Sequence, residues 1–406
     1  MSADALIIGA GASGLIAAIK CAQSGKKVIL LEKEILPGRK ILITGNGRCN
    51  FTNTKVSPDK YFEAADFTAP ALQNFTHKNC VDFFEDIGML SHADEGRWFP
   101  ITGKASSVVD CLVNTAISAG IDIRLKTHVV KIEKAGGVFK AHTRDGDIFS
   151  AKNLVLACGS PAYPQAGGTA EGYNLAQSLG HTITALSPAI SAINLKEKAV
   201  ARLAGLKVYA NAILQGKDSE EGEIIFGANG VSGNNILSIS RNALPGDKLL
   251  LDFLPQFTEK EFTAFMDKRR KQMRGASVKN FLTGILADNA ANLLTDFLGI
   301  KKNSLVADLT PDIFARIIKT IKAWPFTVES LRGEKEACAA RGGVNRAEID
   351  GRTMQSKKVR GLYITGELLD VDGRCGGYNL HFAWASGVLA AKFLSHCEER
   401  SDAAIS

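Results

Sequence analysis

Six residues near the start of the chain, Gly9-Ala10-Gly11-Ala12-Ser13-Gly14, constrain it more than any other feature. A short apolar run, Ala5 to Gly9, precedes them and reads as a buried strand. A helical pattern from Leu15 to Ser24 follows, closed by Gly25, and a second apolar strand runs from Lys27 to Leu31 and ends at Glu32. Gly-x-Gly-x-x-Gly alone is a common glycine-rich turn. Framed by strand, helix, second strand and terminal acid, it reads as a dinucleotide fingerprint. Gly9 permits the tight turn, Gly11 lets the backbone approach a pyrophosphate, and Gly14 lets the helix pack on the strand. The phosphates would meet the free N–H groups and positive dipole end of the helix, and Glu32 would accept from a ribose diol.

Length and composition fit that reading. The 406 residues are 45% hydrophobic and 22% charged, which suits a globular protein of two or three domains and excludes a disordered or fibrous chain. The net charge of +7 is too small for the basic stripe of a nucleic-acid binder, so a nucleic-acid partner is not expected. The run Lys268-Arg269-Arg270-Lys271 reads first as a solvated helix face. The eight cysteines show no paired spacing, so neither a metal site nor a disulfide framework is indicated. With no basic leader and no apolar run of about 20 residues, the expectation is a cytoplasmic protein without a membrane span.

The remaining pattern divides the chain. After Glu32 comes a long loop, Leu36 to Asn53, rich in glycine, amides and basic groups and suited to clasping a ligand. Strands are expected at Ile123 to Glu133, Val138 to Thr143, Asp147 to Ala151 and Asn153 to Cys158, with hairpin signals at Gly136-Gly137 and Asp145-Gly146. Leu186 to Leu254 is strand-like, Thr258 to Ala323 helical, Gly361 to Ile364 a strand and Asn379 to Leu394 an amphipathic helix. The fold class is therefore α/β. A discontinuous Rossmann-like domain (1–186 and 325–397) would carry an inserted β-barrel-like unit (187–256) and a helical unit (257–324), with a disordered tail at 398–406.

Only one fingerprint is present, which argues against separate FAD and NAD domains. The segment from Gly366-Glu367 to Gly376-Gly377-Tyr378-Asn379 at the start of the last helix favours FAD. A helix N-terminus there would stabilise the negative charge that a flavin gains on reduction. Lys40 and Arg48 could meet a pyrophosphate or an anionic substrate. Asn50 and Asn53 read equally well as turn formers. Cys49 and Cys375, both in glycine-rich loops, read as small buried thiols ahead of a redox pair. No acid or base is fixed by the pattern. His381 and Tyr378 are the candidates as proton donors, although packed helix residues are the commoner outcome at such positions.

Four blocks carry a resemblance to the bacterial BaiN-like, aminoacetone-oxidase-like FAD-dependent flavoproteins. They are Gly9 to Gly14 with Glu32-Lys33; Gly38-Arg39-Lys40 running to Gly47-Arg48-Cys49-Asn50-Phe51-Thr52-Asn53; Leu154 to Pro164 with Gly167-Gly168-Thr169; and Gly342-Gly343-Val344 through Gly366-Glu367-Leu368-Leu369-Asp370 to Asn379. The resemblance implies a non-covalent FAD, reduced by NAD(P)H or by substrate, in a Rossmann-like domain with a barrel and a helical insert. The FAD contacts expected are Gly9, Gly11, Ala12, Ser13, Gly14, Glu32, Lys33, Arg39, Lys40, Gly47, Arg48, Asn50, Val129, Gly159, Gly366, Glu367, Asp370, Gly376, Gly377, Tyr378 and Asn379. Where many members read F-T-H-x-G-x-S-G-P, this chain has Ala228 and Asn234 in place of the histidine and proline. That departure keeps the relatives' substrate from being carried over. The function expected is an FAD-dependent oxidoreductase that moves a hydride through flavin N5 between NAD(P)H and a small organic substrate, entering between the α/β domain and the insert. The alternatives are a flavin-dependent RNA-modifying enzyme using Lys268 to Lys271 and Arg274, and a non-catalytic flavin-binding redox sensor.

Overall fold

The computed structural model describes residues 2–301, 303–333 and 335–396. The expected tail at 398–406 lies outside them. The chain divides into two compact units, residues 190–333 and the segments on either side of them.

The first unit is built on a seven-stranded sheet. Strand β1 (Ser2–Ile8) is central, pairing in parallel with β2 (Val28–Leu31) on one side and with the strand Ile148–Leu156 on the other. β2 in turn pairs with Asp122–Arg124, and Leu362–Ile364 adds in parallel to Ile148–Leu156. All four residues of β2 are buried, as a parallel strand covered on both faces requires. Helix α1 (Ala12–Gln23) covers one side, and Gly25, at φ +79°, ends it where a left-handed residue is needed.

Several sequence expectations need correction. The expected strand Ile123 to Glu133 is interrupted at Lys126, which has φ +53°, so its halves become the edge strand Asp122–Arg124 and the hairpin strand Val129–Ala135. Asp147 to Ala151 and Asn153 to Cys158 are one strand. The loop Leu36 to Asn53 contains a short helix, α2 (Arg39–Ile43), a 3₁₀ turn at Thr44–Gly47 and the strand Thr52–Asn53. The last helix, Tyr378–His396, is not amphipathic, because Lys392 is its one exposed residue between Tyr378 and Ser395. A helix apolar all round belongs in the interior, and this one packs along α1.

The second unit holds a closed six-stranded barrel and the α-helices Asn234–Ile239, Glu259–Gln272, Val278–Leu282, Asp288–Phe297 and Pro311–Lys322, packed on one shared apolar core. Here the expected boundary at 325 fails. Trp324–Leu331 is the strand that closes the barrel, pairing with Lys248–Asp252 and Ile193–Leu195. Its alternating inward residues Trp324, Phe326 and Val328 belong to that core, so the insert runs on to 333. The barrel and helices also form one unit, where two had been expected. Among the described residues no helix is long and apolar enough to cross a membrane.

The contact between α1 and the last helix depends on Gly387. A Cβ there would lie 2.5 Å from the Ser13 carbonyl oxygen and 2.7 Å from Ile16 Cγ2. Alanine normally stabilises a helix interior relative to glycine by up to about 1 kcal/mol. Gly387→Ala is expected to do the reverse, lowering the melting temperature by about 5 °C in a thermal scan, because the helices must separate.

Candidate functional site

The three fingerprint glycines divide into two physical roles. A Cβ on Gly9 would lie 2.5 Å from the Ala157 carbonyl oxygen, and one on Gly14 would lie 1.9 Å from the Gly9 carbonyl oxygen. Both are required by packing, between the β1–α1 turn, the α1 backbone and the end of Ile148–Leu156. A Cβ on Gly11 meets nothing within 4 Å, and the same holds for Gly159. Both of these line one cavity, and the space where each missing side chain would begin is open. The packing glycines shape the turn, and the other two keep space open for a ligand.

That cavity runs along the carboxyl ends of the parallel strands, where open α/β sheets bind ligands. One end is apolar, lined by Leu31, Leu36, Val129 and Leu175, with Glu32 beside them. Glu32 Oε2 accepts from Ala10 N–H at 2.7 Å and Oε1 accepts from Glu34 N–H at 2.9 Å. Burial pushes this carboxyl up, and the two backbone donors oppose the shift. Each oxygen retains a lone pair for a hydroxyl donor such as a ribose diol. In the middle the N-terminus of α1 faces the cavity with no side-chain cap and no acid in its first turn, so its dipole and N–H groups are left for an anion. At the other end lie Lys40, Thr44, Ser160, Cys338, Glu367, Asn379 and Ala383. An apolar and acidic end, an uncapped helix start and a further polar end fit a dinucleotide.

Every cationic side chain on this wall is already paired. Lys40 Nζ is 2.6 Å from Glu367 Oε2, Lys33 Nζ is 3.2 Å from Glu171 Oε2, His128 Nε2 is 3.0 Å from Glu171 Oε1, and Arg39 bonds Glu34. A pyrophosphate here would be met first by backbone N–H groups.

Of the residues expected from sequence, Gly9, Gly11, Ala12, Ser13, Glu32, Lys33, Arg39, Lys40, Val129, Gly159, Glu367 and Asn379 line this one cavity. The others lie around it. Gly366 is a packing glycine, since a Cβ there would meet Ser13 Oγ at 2.6 Å. Gly377 leaves room for the Asn50 and Thr52 carbonyls, each 2.9 Å from its would-be Cβ, and Gly376 accepts from Asn53 Nδ2. Tyr378 accepts at its carbonyl from the Tyr61 hydroxyl, and Asp370 N–H bonds Val344 O. Gly47 lies in the 3₁₀ turn, and Arg48 is exposed with its guanidinium 4.2 Å over the Phe99 ring. Cys49 is buried and its thiol is pushed up to about 12, so it is held protonated. Glu34, His128, Ser160, Gly167 to Thr169, Glu171 and Cys338 also line the cavity and were missed as site residues. Gly167-Gly168-Thr169 had at least a glycine signal, whereas His128 and Cys338 have none in local sequence.

The structure takes His381 out of proton transfer. It is fully buried, its Nε2 donates to the Phe75 carbonyl at 2.9 Å, and its Nδ1 accepts from Thr52 Oγ1 at 2.8 Å. A carbonyl can only accept, so Nε2 carries a proton, and the neutral ring that burial favours is the Nε2–H tautomer. Burial lowers its pKa to about 4.

Two outcomes follow from this geometry. Gly11→Ala is expected to leave the melting temperature of the apoprotein within about 2 °C of wild type while weakening FAD binding at least about tenfold; Gly9→Ala, blocked by backbone, should lower stability by about 3 kcal/mol or more. For His381, the unfolded chain binds a proton below its ordinary value of 6.5 and the folded chain does not until about 4. Its contribution is thus present above 6.5 and lost as pH falls toward 4, and His381→Gln should flatten that part of a stability-against-pH curve.

Comparison with known proteins gives the family. The family described as HI0933-like protein Rossmann domain matches residues 3–393. The chain is 34% identical over 401 residues to the 3-dehydro-bile acid delta(4,6)-reductase of Clostridium scindens, covering 95% of this chain and 97% of that protein. It is 30% identical over 395 residues to the ribosomal RNA dihydrouridine synthase of Escherichia coli, covering 96% and 98% respectively. Among solved structures, the 3-ketosteroid delta1-dehydrogenase of Sterolibacterium denitrificans shares the fold with a TM-score of 0.53 at 13% identity, over 97% of this chain and 99% of that one. With the fingerprint, the cavity and near full-length similarity in agreement, the chain belongs to the HI0933-like family of FAD-dependent Rossmann proteins.

Proposed function

We propose that this protein is an FAD-dependent reductase that adds two hydrogens across a carbon–carbon double bond conjugated to a carbonyl, in a small organic substrate, with electrons drawn from NAD(P)H. The observation that carries the cofactor part is the single cavity running from Glu32 past the uncapped start of α1 to Asn379 and Ala383. The reaction class rests on the names of the relatives. A 3-dehydro delta(4,6) bile acid and a uracil ring share a double bond conjugated to a carbonyl, and both names describe its reduction.

In this reading FAD, when bound, supplies a hydride to the carbon farther from the carbonyl. The chain holds the cofactor. Glu32 takes the ribose diol, the N–H groups at the start of α1 take the pyrophosphate, and the Lys40–Glu367 pair orders the other end. The proton that completes the reduction does not come from His381, which is neutral and has both nitrogens engaged. Tyr378 remains a candidate donor by residue type alone.

A second reading, the same reduction on a uracil carried in RNA, is favoured by the ribosomal RNA dihydrouridine synthases. The basic run first suggested for it is half structural. Arg269 donates to the Phe281 and Thr283 carbonyls, both at 2.8 Å, and Arg270 donates to the Leu309 carbonyl at 2.5 Å. Lys268, Lys271 and Arg274 are left exposed.

Anaerobic addition of NADH, then NADPH, to FAD-loaded protein tests the reading. Bleaching of the flavin bands by one nucleotide, then recovery on adding a conjugated enone but not a saturated ketone, is the expected result. Recovery only with a uridine-containing RNA would favour the second reading. Bands that no nucleotide bleaches would contradict the NAD(P)H-linked reductase and favour the redox-sensor alternative.

A further inference from the structure

Between the strand Ile148–Leu156 and the helix Glu171–Ser178, the chain folds into a small closed loop, residues 160–169. Its ends are joined by Thr169 N–H donating to the Ser160 carbonyl at 3.1 Å. Inside, Ala166 N–H bonds Tyr163 O at 3.0 Å, Gly167 N–H bonds Pro164 O at 2.9 Å, and Ala162 N–H bonds Ser160 Oγ at 3.3 Å. Close ends and internal hydrogen bonds are the marks of an Ω-loop, a compact surface element that is frequently functional. Ser160, Ala166, Gly167, Gly168 and Thr169 form part of the cavity wall. Gly159, at the base of the loop, has φ +71°, a conformation glycine adopts without strain and one that gives the backbone an easy pivot there.

Side chains from the facing wall hold this loop. Arg39, the first residue of α2, donates through Nη2 to the Gln165 carbonyl at 2.8 Å and through Nη1 to Glu34. Glu34 lies against Gly167, its Cγ 3.3 Å from where a Cβ would be. Lys40 Nζ reaches Ser160 Oγ at 3.4 Å, and Gln165 Nε2 donates to Lys335 O at 2.6 Å. Arg39 was expected from sequence to touch the cofactor, yet its Nη2 is engaged by the loop at Gln165 and its Nη1 by Glu34 on its own segment.

The geometry points to residues 160–169 as a lid over the dinucleotide cavity, with Arg39 as its latch through Gln165 and Glu34. This inference rests on the reading of the cavity as an FAD site. The lid opens for FAD to enter or leave and closes behind it, so the latch governs the rate of exchange in both directions and the affinity much less. Arg39 is a positioning residue in this scheme, acting through the loop.

Stopped-flow flavin fluorescence, with FAD added to or displaced from the full-length protein, separates the possibilities. Arg39→Ala should raise both the entry and departure rates about tenfold, the effect of losing one charge-assisted bond, and leave Kd within about threefold of wild type. Glu34→Gln should shift both rates in the same direction. If Arg39 instead grips the pyrophosphate, R39A raises departure alone and weakens Kd, while E34Q frees the guanidinium and tightens Kd; either pattern overturns the lid. Unchanged rates in both variants also overturn it. If R39A does not fold, about 0.5 M salt should speed both rates in wild type, and a salt-independent entry rate would contradict the latch. Wild type that binds no FAD removes the cofactor reading, and the lid with it.

Discussion

The site rests on a backbone-to-backbone contact with no room for a side chain. The turn after β1 touches the end of Ile148–Leu156 at Gly9, α1 lies on that turn at Gly14, and the last helix lies on α1 at Gly387. Gly366 completes the group, meeting Ser13 from the segment that carries Glu367. Because these approaches are set by backbone, the start of α1 is held at the carboxyl ends of the parallel strands with its N–H groups facing the cavity. Glu32 and Lys40, from the segment that follows β2, and Glu367, from near the other end of the chain, line the same cavity.

The electrostatics of the cavity follow from the same arrangement. Its lysines, arginine and histidine are each paired with a carboxylate, which would leave a dinucleotide's charge to backbone dipoles. Neutral, internally paired walls keep the apoprotein's cavity from carrying a set of repelling charges. They also make cations such as Arg39 structural bridges across the site.

Much of this was legible in sequence because its cause is local. The strand–glycine–helix–strand–acid pattern determines a βαβ unit within a few residues, and the residues Gly9, Gly11, Ser13 and Glu32 that it singles out all line the cavity. What could not be read depends on distant partners. The helical character of Arg39–Ile43 comes from Gly38, which adopts φ +68° and donates its N–H to Ala10 O. Trp324–Leu331 belongs to the barrel because strands some 75 to 130 residues earlier need a closing partner. For His381 the sequence supported only the general expectation of a packed helix residue, since its helical position says nothing of the Thr52 and Phe75 groups that its ring meets. The resemblance carries a departure from the family pattern at Ala228 and Asn234. Those residues occupy the turn between Asp218–Phe226 and Gly230–Ser232 and the start of the short helix Asn234–Ile239.

The central claim is that the cavity bordered by Gly11, Glu32 and Glu367 takes a whole flavin dinucleotide. Calorimetric titration of the apoprotein with FAD, ADP and FMN tests it most directly. The account predicts tight binding of FAD, weaker binding of ADP that competes with FAD for the same site, and little binding of FMN, which lacks the part that Glu32 and the apolar end would hold. FAD binding that ADP cannot displace, or no FAD binding at all, would contradict it.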